Sequence, residues 1–342
     1  MQEPLYCAVD LHSNNGYYGI IEKSGKHVLG KRLSNDLDKV LKELEPFKEK
    51  IHSVAIESTY NWYWLADGLT RNGFKDKVKL ANPAAMEQYS GMKSTDDKTD
   101  AFFIAELMRL DILPEGYIYP EEDRYVRDIL RRRSLFVKQR TAQMLSLQNM
   151  ISRQSGSSLS MRNIQKVNLE ELLELLGSQD NLFMAKQNLD MIRFLSEKIK
   201  ILENHVLDKA ELKPEFEKLL TVPGIGKILG LTIMYETGDI SRFAKAGNFT
   251  SYCRCVKAEA SSNYKKKSNN NRKNGNKYLS WAFVEVAHKM KQFCPEAQRF
   301  YNRKYSRGNG ALATKALAAK ISKAVFYILK NQEEFDVKKI FG

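Results

Sequence analysis

The stretch LYCAVDLHSNNGYYGIIEKSGKHVLGKRL, residues 5–33, decides the fold class. It divides into three β-rich runs, LYCAVDL (5–11), GYYGIIE (16–22) and HVLGKRL (27–33). The breaks between them, HSNN and KSGK, are turn chemistry. Three strands joined by connections this short predict an antiparallel meander. Downstream, DLDKVLKELEPF (36–47) reads as a helix and IHSVAIES (51–58) as a buried strand. WYWLADGLTRNG (62–73) reads as a helix ended by Gly73, and KVKLANP (77–83) as a strand stopped by Pro83. A last helix opens within STDDKTDAFFIAELM (94–108), so residues 1–115 read β-β-β-α-β-α-β-α.

The remaining chain is helical. RYVRDILRRRSLFVKQRTAQMLSLQNMISR (124–153) is one long basic helix broken by SGSS (155–158). Leu189, Ile192, Leu195, Ile199, Leu202 and Val206 then recur at gaps of three and four, the seam of a coiled coil or hairpin. That seam either folds back on the first helix or pairs with another subunit. From about residue 213 the character changes again: LLTVPGIGKILGLTIMYETGDISRF (219–243) sets Pro-Gly-x-Gly ahead of an apolar helix. SSNYKKKSNNNRKNGNKYLSWAFVEVAHKM (261–290) sets a basic, Asn-rich loop ahead of another, with no acidic residue between Glu259 and Glu285. The expected domains are 1–115, a helical coiled-coil linker at 116–212, and 213–342.

Composition restricts the partners. The 342 residues, 43% hydrophobic, suffice for more than one core. Lys and Arg number 55 against 41 Asp and Glu, a net charge of +14, so the summed field attracts polyanions, nucleic acid first among them. Cys7, Cys253, Cys255 and Cys294 lack metal-ligand spacing and read as reduced thiols of a cytoplasmic protein. The start of the chain has no basic region followed by an apolar run, and no stretch of about 18 apolar residues occurs, which argues against secretion or a membrane.

Four acids fall where chemistry could use them. Asp10 ends the first strand, Glu57 ends the fourth, and Asp97 and Asp100, three apart on one helical face, open the following helix. Asp96 points about 100° away from Asp97 and is the expected helix cap. Acids at strand ends and a helix start can converge on one sheet edge, and four carboxylates offer hard oxygen ligands for Mg²⁺. Two such ions about 4 Å apart serve phosphodiester chemistry. This order of elements and acids is what a ribonuclease-H-like nuclease domain requires. Each acid also has an ordinary reading, as a cap or a strand-end hydrogen-bond acceptor.

At this point YCAVDLHSN, VAIES, LANP and DDKTDA resemble the N-terminal DEDD domain, related to RuvC-type junction resolvases, of the IS one-ten family of insertion-sequence transposases. The likeness continues through LRRRSLFVKQRT, VPGIGKILGLTIMYETGDISRF and SSNYKKKSNNNRKNGNKYL, which are similar to the family's basic helix, second-domain entry and serine loop. It implies a RuvC-like domain, a helical middle segment and a mainly helical C-terminal domain. It implies Mg²⁺ held by Asp10, Glu57, Asp97 and Asp100, with Ser262 attacking a DNA phosphate beside that centre to form a transient phosphoserine bond. It implies double-stranded donor and target DNA, a structured bridge RNA that chooses the sites, and a dimer or tetramer. Two features depart from the family: Asn263 stands where a glycine usually follows the serine, and RCVKA (254–258) replaces Gly-Leu-x-Pro. Lys273-Asn274-Gly275-Asn276, about a dozen residues on, keeps the family spacing. Ser261 is the rival nucleophile and Ser268 a more remote one.

The nucleic-acid contacts expected from the residues are Gly224, Gly226 and Lys227 at a helix start resembling a helix-hairpin-helix entry, the loop residues Lys265, Lys266, Lys267, Arg272, Lys273 and Lys277, and Arg131 and Arg132 on the basic helix. No zinc finger or basic zipper is present to read bases. Two other readings stand beside transposition: a plain metal nuclease using water, and a nucleic-acid-binding scaffold.

Overall fold

The structure is a computed structural model. It describes residues 3–92, 96–209, 213–256, 260–262, 265–267 and 274–342, of which 90–92, 209, 260–262 and 265–267 are described by backbone alone. Arg272, Lys273 and Ser268 lie outside the described residues. The chain divides into two compact units, residues 1–121 with 272–274, and 122–271 with 275–342.

The first unit is a sheet with helices. The meander forms as expected, with β1 (Leu5–Leu11), β2 (Asn15–Glu22) and β3 (His27–Ser34) pairing antiparallel. After α1 (Leu37–Leu44), β4 (Ile51–Glu57) pairs parallel to β1. After α2 (Tyr63–Leu69), β5 (Val78–Ala81) adds parallel to β4. A two-residue strand not anticipated from the sequence, β6 (Glu115–Gly116), closes the edge antiparallel to β5, giving the order β3-β2-β1-β4-β5-β6. This mixed sheet is consistent with a ribonuclease-H-like DEDD domain.

The central strands β1 and β4 are buried on both faces, so their residues divide between two cores. Cys7, Val9, Val54 and Ile56 pack with Val40, Leu44 and Leu65 of α1 and α2. Ala8, Ala55 and Ala81 face the opposite core, formed with Met86 of α3 (Pro83–Met86) and with Phe102, Ile104 and Ala105 of α4 (Asp97–Arg109). The small side chains of those alanines let α4 lie close against the sheet.

The second unit is helical. α5 (Glu121–Ser155) is a single 35-residue helix ending before Gly156. Two short helices, α6 (Met161–Ile164) and α7 (Leu169–Leu176), lead into α8 (Gln179–Lys209), which returns antiparallel to α5. Arg133 on Glu203, Arg140 on Ser196 and Asn188 on Gln143 fix that register. Leu189 and Ile192 bury against Met144, Leu147 and Ile151, so the seam closes within the chain.

A larger core gathers α9 (Pro214–Leu220), α10 (Lys227–Thr237), α11 (Ala246–Tyr252), α12 (Lys277–Phe293), α13 (Pro295–Tyr305), α14 (Gly310–Asn331) and α15 (Val337–Phe341), around Phe249, Phe283, Val286, Ile321 and Phe326. All four cysteines are buried free thiols. No helix among the described residues is long and apolar enough to cross a membrane.

Candidate metal centre and serine hairpin

The acidic edge is assembled by strand periodicity. Ala8 and Ala55 face α4, and the side-chain period of two carries Asp10 and Glu57, one residue beyond the Val9–Ile56 pair, to the same face. Asp10 is buried. α4 delivers its N-terminus there. Asp96 caps it as expected, its Oδ1 accepting from the Thr99 backbone N at 2.6 Å, which leaves Asp97 and Asp100 in the first turn.

The structure brings Asp10 and Asp97 together around a residue that the reading of HSNN as a turn had passed over. His12 Nε2 lies 3.3 Å from Asp10 Oδ2 and 3.3 Å from Asp97 Oδ1. Among the described residues, Asp10, His12 and Asp97 form the group whose ligand atoms all lie within 4.8 Å of one another, and this group can hold a divalent ion. Glu57 and Asp100 stand on the same sheet face and helix turn but outside that distance set. The signal for His12 was the Asp-x-His spacing itself, which puts both side chains on one face of an extended strand.

Arg32 was also missed. The ladder row Asp10–Tyr17–Arg32 runs across β1, β2 and β3, so Arg32 shares the face of Asp10. Its Nη2 donates to Asp97 Oδ2 at 2.6 Å and its Nη1 to Asn15 Oδ1 at 2.9 Å. The Arg32 hydrogen bond, aided by the nearby His12, holds the Asp97 carboxyl below the usual carboxylate range against the opposing effect of desolvation. The His12 backbone is fixed too: its carbonyl accepts from Asn35 Nδ2 at 3.0 Å and Asn61 Nδ2 at 2.9 Å.

In the second unit the serine segment, expected as a loop, forms a short hairpin. β7 (Ala260–Ser262) pairs antiparallel with β8 (Lys265–Lys267), with Ser262 opposite Lys265 and Ser261 opposite Lys266. The chain re-enters the core through Gly275, whose φ of +80° and whose position against the Tyr252 carbonyl, 2.6 Å from where a Cβ would stand, admit no side chain. Asn276 follows as the α12 cap. Its Oδ1 accepts from the backbone N of Tyr278 and Leu279, while its Nδ2 donates to Glu236 Oε2 at 2.7 Å.

Glu236 is buried within α10 and takes three further bonds: Arg127 Nε at 3.0 Å, Arg131 Nε at 2.5 Å and Arg131 Nη2 at 2.8 Å. Arg131, expected on a nucleic-acid surface, therefore has its guanidinium on Glu236 and over the Tyr278 ring. Arg132, Lys227 and Lys277 are exposed. The two entry glycines have different surroundings: Gly224, φ +92°, is wedged against Lys289 and Met290 of α12, while open space surrounds Gly226 at the α10 start.

With this geometry in place, comparison with known families is specific. A DEDD-type IS110 profile described as a transposase matches residues 7–154, and a profile described as the transposase IS116/IS110/IS902 family matches residues 216–302. The chain belongs to this family of insertion-sequence transposases and is a DNA transposase or recombinase enzyme. No curated protein matches the chain. The DEDD profile spans Asp10, Glu57, Asp97 and Asp100, and divalent-metal use accords with it and with the Asp10–His12–Asp97 group.

Proposed function

We propose that the chain is a bridge-RNA-guided DNA recombinase that uses Mg²⁺ at the DEDD edge and Ser262 as nucleophile. The observation that carries the metal half is the convergence of Asp10 and Asp97, from a strand end and a helix start, on one point. Asp10, Glu57, Asp97 and Asp100 supply the negative charge; a bound ion would lower the pKa of a hydroxyl and offset charge on a phosphate. Arg32 orients Asp97 by occupying its other oxygen.

Ser262 sits at the end of a strand beside three lysines. There the Ser262 oxygen would attack a DNA phosphate and expel one strand end as a free hydroxyl, and the phosphoserine–DNA link conserves the phosphodiester energy until a hydroxyl of the other strand displaces the serine, as strand exchange without ATP requires. Lys265, Lys266, Lys267, Arg272, Lys273 and Lys277 neutralise nucleic-acid backbone, with Arg132, Lys227 and the α10 start as further contacts. The net charge serves RNA as well as DNA. A dimer or tetramer is supported by α8, whose Met184, Met191, Phe194 and Ile201 recur at gaps of seven, three and seven and are all exposed, on a flank of the helix outside the seam that closes on α5.

The test is one hydroxyl. Ser262→Ala abolishes strand exchange and the covalent adduct yet leaves folding and nucleic-acid binding intact, and mass spectrometry places the DNA link on the peptide containing Ser262. A link on Ser261 shifts the assignment by one residue. If no adduct forms and Ser262→Ala still cuts DNA, the plain nuclease using water replaces this reading. RNA guidance fails if recombination proceeds in a purified system without RNA.

A further inference from the structure

We propose that His12 is a metal ligand in this chain, and that its nitrogen strengthens binding of Mn²⁺ more than that of Mg²⁺, the ion of the proposed reaction. This inference rests on the metal reading of the DEDD edge and adds a residue outside the four acids.

Three observations point to a ligand. The first is spacing: Nε2 is 3.3 Å from one oxygen of each aspartate, close to the roughly 3 Å that separates neighbouring ligands of a six-coordinate ion with bonds of about 2.1 Å. The second is direction. Nε2 is enclosed, though the side chain is 40% exposed, and stands equally far from both oxygens with no well-aligned hydrogen bond to either. An imidazole serving as a bridging cation would aim its N–H at one of them.

The third is preorganisation. Asn35 and Asn61 both donate to the His12 carbonyl, and the His12 backbone N donates to Asn15 O at 2.8 Å, so the residue is held at three points before any ion arrives. Arg32, itself tied to Asn15, takes Asp97 Oδ2 and leaves Oδ1 facing His12. A donor set of two carboxylate oxygens and one imidazole nitrogen is a mixed set. Mg²⁺ demands oxygen and keeps its waters, whereas a transition ion such as Mn²⁺ gains from the nitrogen.

The experiment uses the full-length chain with Mn²⁺ or Mg²⁺ alone as probe. Pulsed electron paramagnetic resonance of the Mn²⁺-loaded wild type shows nitrogen modulation that changes when histidine alone is labelled with ¹⁵N, and that is lost in His12→Ala. Calorimetry gives a Mn²⁺ Kd at least about tenfold weaker in His12→Ala, while the Mg²⁺ Kd moves far less, so the ratio of the two collapses. The wild-type spectrum stands even if the variant folds poorly.

Three results overturn the proposal. One is Mn²⁺ bound to the wild type without histidine nitrogen modulation. Another is unchanged Mn²⁺ affinity in a folded His12→Ala protein. The last is tighter binding of both ions by that variant, which would make His12 a competing cation. Asp10→Asn separates the two levels: if it weakens both ions while His12→Ala does nothing, the metal reading survives and the His12 role falls; if it too changes nothing, the metal reading falls as well.

Discussion

Replacing Glu236 by Gln tests whether a buried charge network anchors the root of the serine segment. The substitution keeps the side-chain shape and removes one negative charge from a site where four donors, two from Arg131 and one each from Arg127 and Asn276, close at 2.5 to 3.0 Å. Glu236 is 1% exposed and Arg127 8%, so the Arg127 charge left behind has little access to solvent, while the Arg131 side chain is 30% exposed. Hydrogen bonds to a charged group contribute about 1.5–3 kcal/mol each, and they do not add. Removing one partner of a buried ion pair costs about 3–5 kcal/mol, and that range applies here. The exposed Lys31–Glu43 pair, 2.6 Å long, belongs to the class in which loss costs about 1 kcal/mol or less.

Hydrogen exchange read by mass spectrometry localises the effect. In Glu236→Gln, peptides from α10 and α12 lose protection by roughly a hundredfold to a few thousandfold, the equivalent of that energy at about 1.4 kcal/mol per tenfold, while β1 and β4 exchange as in the wild type. The pH dependence has a definite sign. Burial is the largest single influence on Glu236 and pushes its carboxyl up, but Arg131, Arg127 and Asn276 together outweigh it and hold the carboxyl below the usual range. A depressed native pKa gives stability that is present above the ordinary glutamate value and lost as pH falls through the native one. The gap between wild type and Glu236→Gln should therefore narrow in acid. A loss of protection below about 1 kcal/mol at neutral pH, or a gap that widens in acid, would refute the anchoring role.

Two further outcomes are expected. Gly275→Ala places a Cβ at positive φ and 2.6 Å from the Tyr252 carbonyl, so it should lower the melting temperature of the helical unit by about 5 °C or more in calorimetry; an unchanged melt would mean that the turn relaxes freely. Met191→Glu with Phe194→Glu charges the exposed α8 stripe without touching the buried seam, so sedimentation should report a smaller assembly at unchanged helicity, and an unaltered mass would place the subunit contact elsewhere.

The sheet was legible because its signals are local. Turn residues bracket each strand, and alternating burial sends Cys7 and Val9 to one core and Ala8 to the other. β6 was not, since two residues carry no periodicity. The hairpin at Ser262 was hidden for a related reason: a run of three lysines shows no alternation from which a strand could be read. The seam was visible as periodicity, but its partner stayed open between α5 and a second chain; Leu189 and Ile192 bury against Met144 and Leu147 of α5, and Met184, Met191, Phe194 and Ile201 stay exposed.

The site divides along the same line between residue identity and pairing. Asp10 and Asp97 were singled out by position in the order of elements and lie together around His12, whose signal was the Asp-x-His spacing, whereas Arg32 needed the register: the Asp10–Tyr17–Arg32 row shows that a residue of β3 can reach the start of α4. Arg131 illustrates the converse. Composition counts it among the cations available to a polyanion, yet the spacing Arg127–Arg131 puts both on one helical face, and Glu236 is the lone carboxylate in the apolar helix KILGLTIMYET that meets them. A buried acid in such a run needs a partner, and a pair of arginines four apart supplies it. Arg133 is likewise paired, with Glu203. Arg127, Arg131 and Arg133 thus meet carboxylates within the protein, while Arg132, Lys227 and Lys277 face solvent. Weakened nucleic-acid binding in an Arg131 variant would accordingly report a loosened α5–α10–α12 junction before it reported a lost phosphate contact.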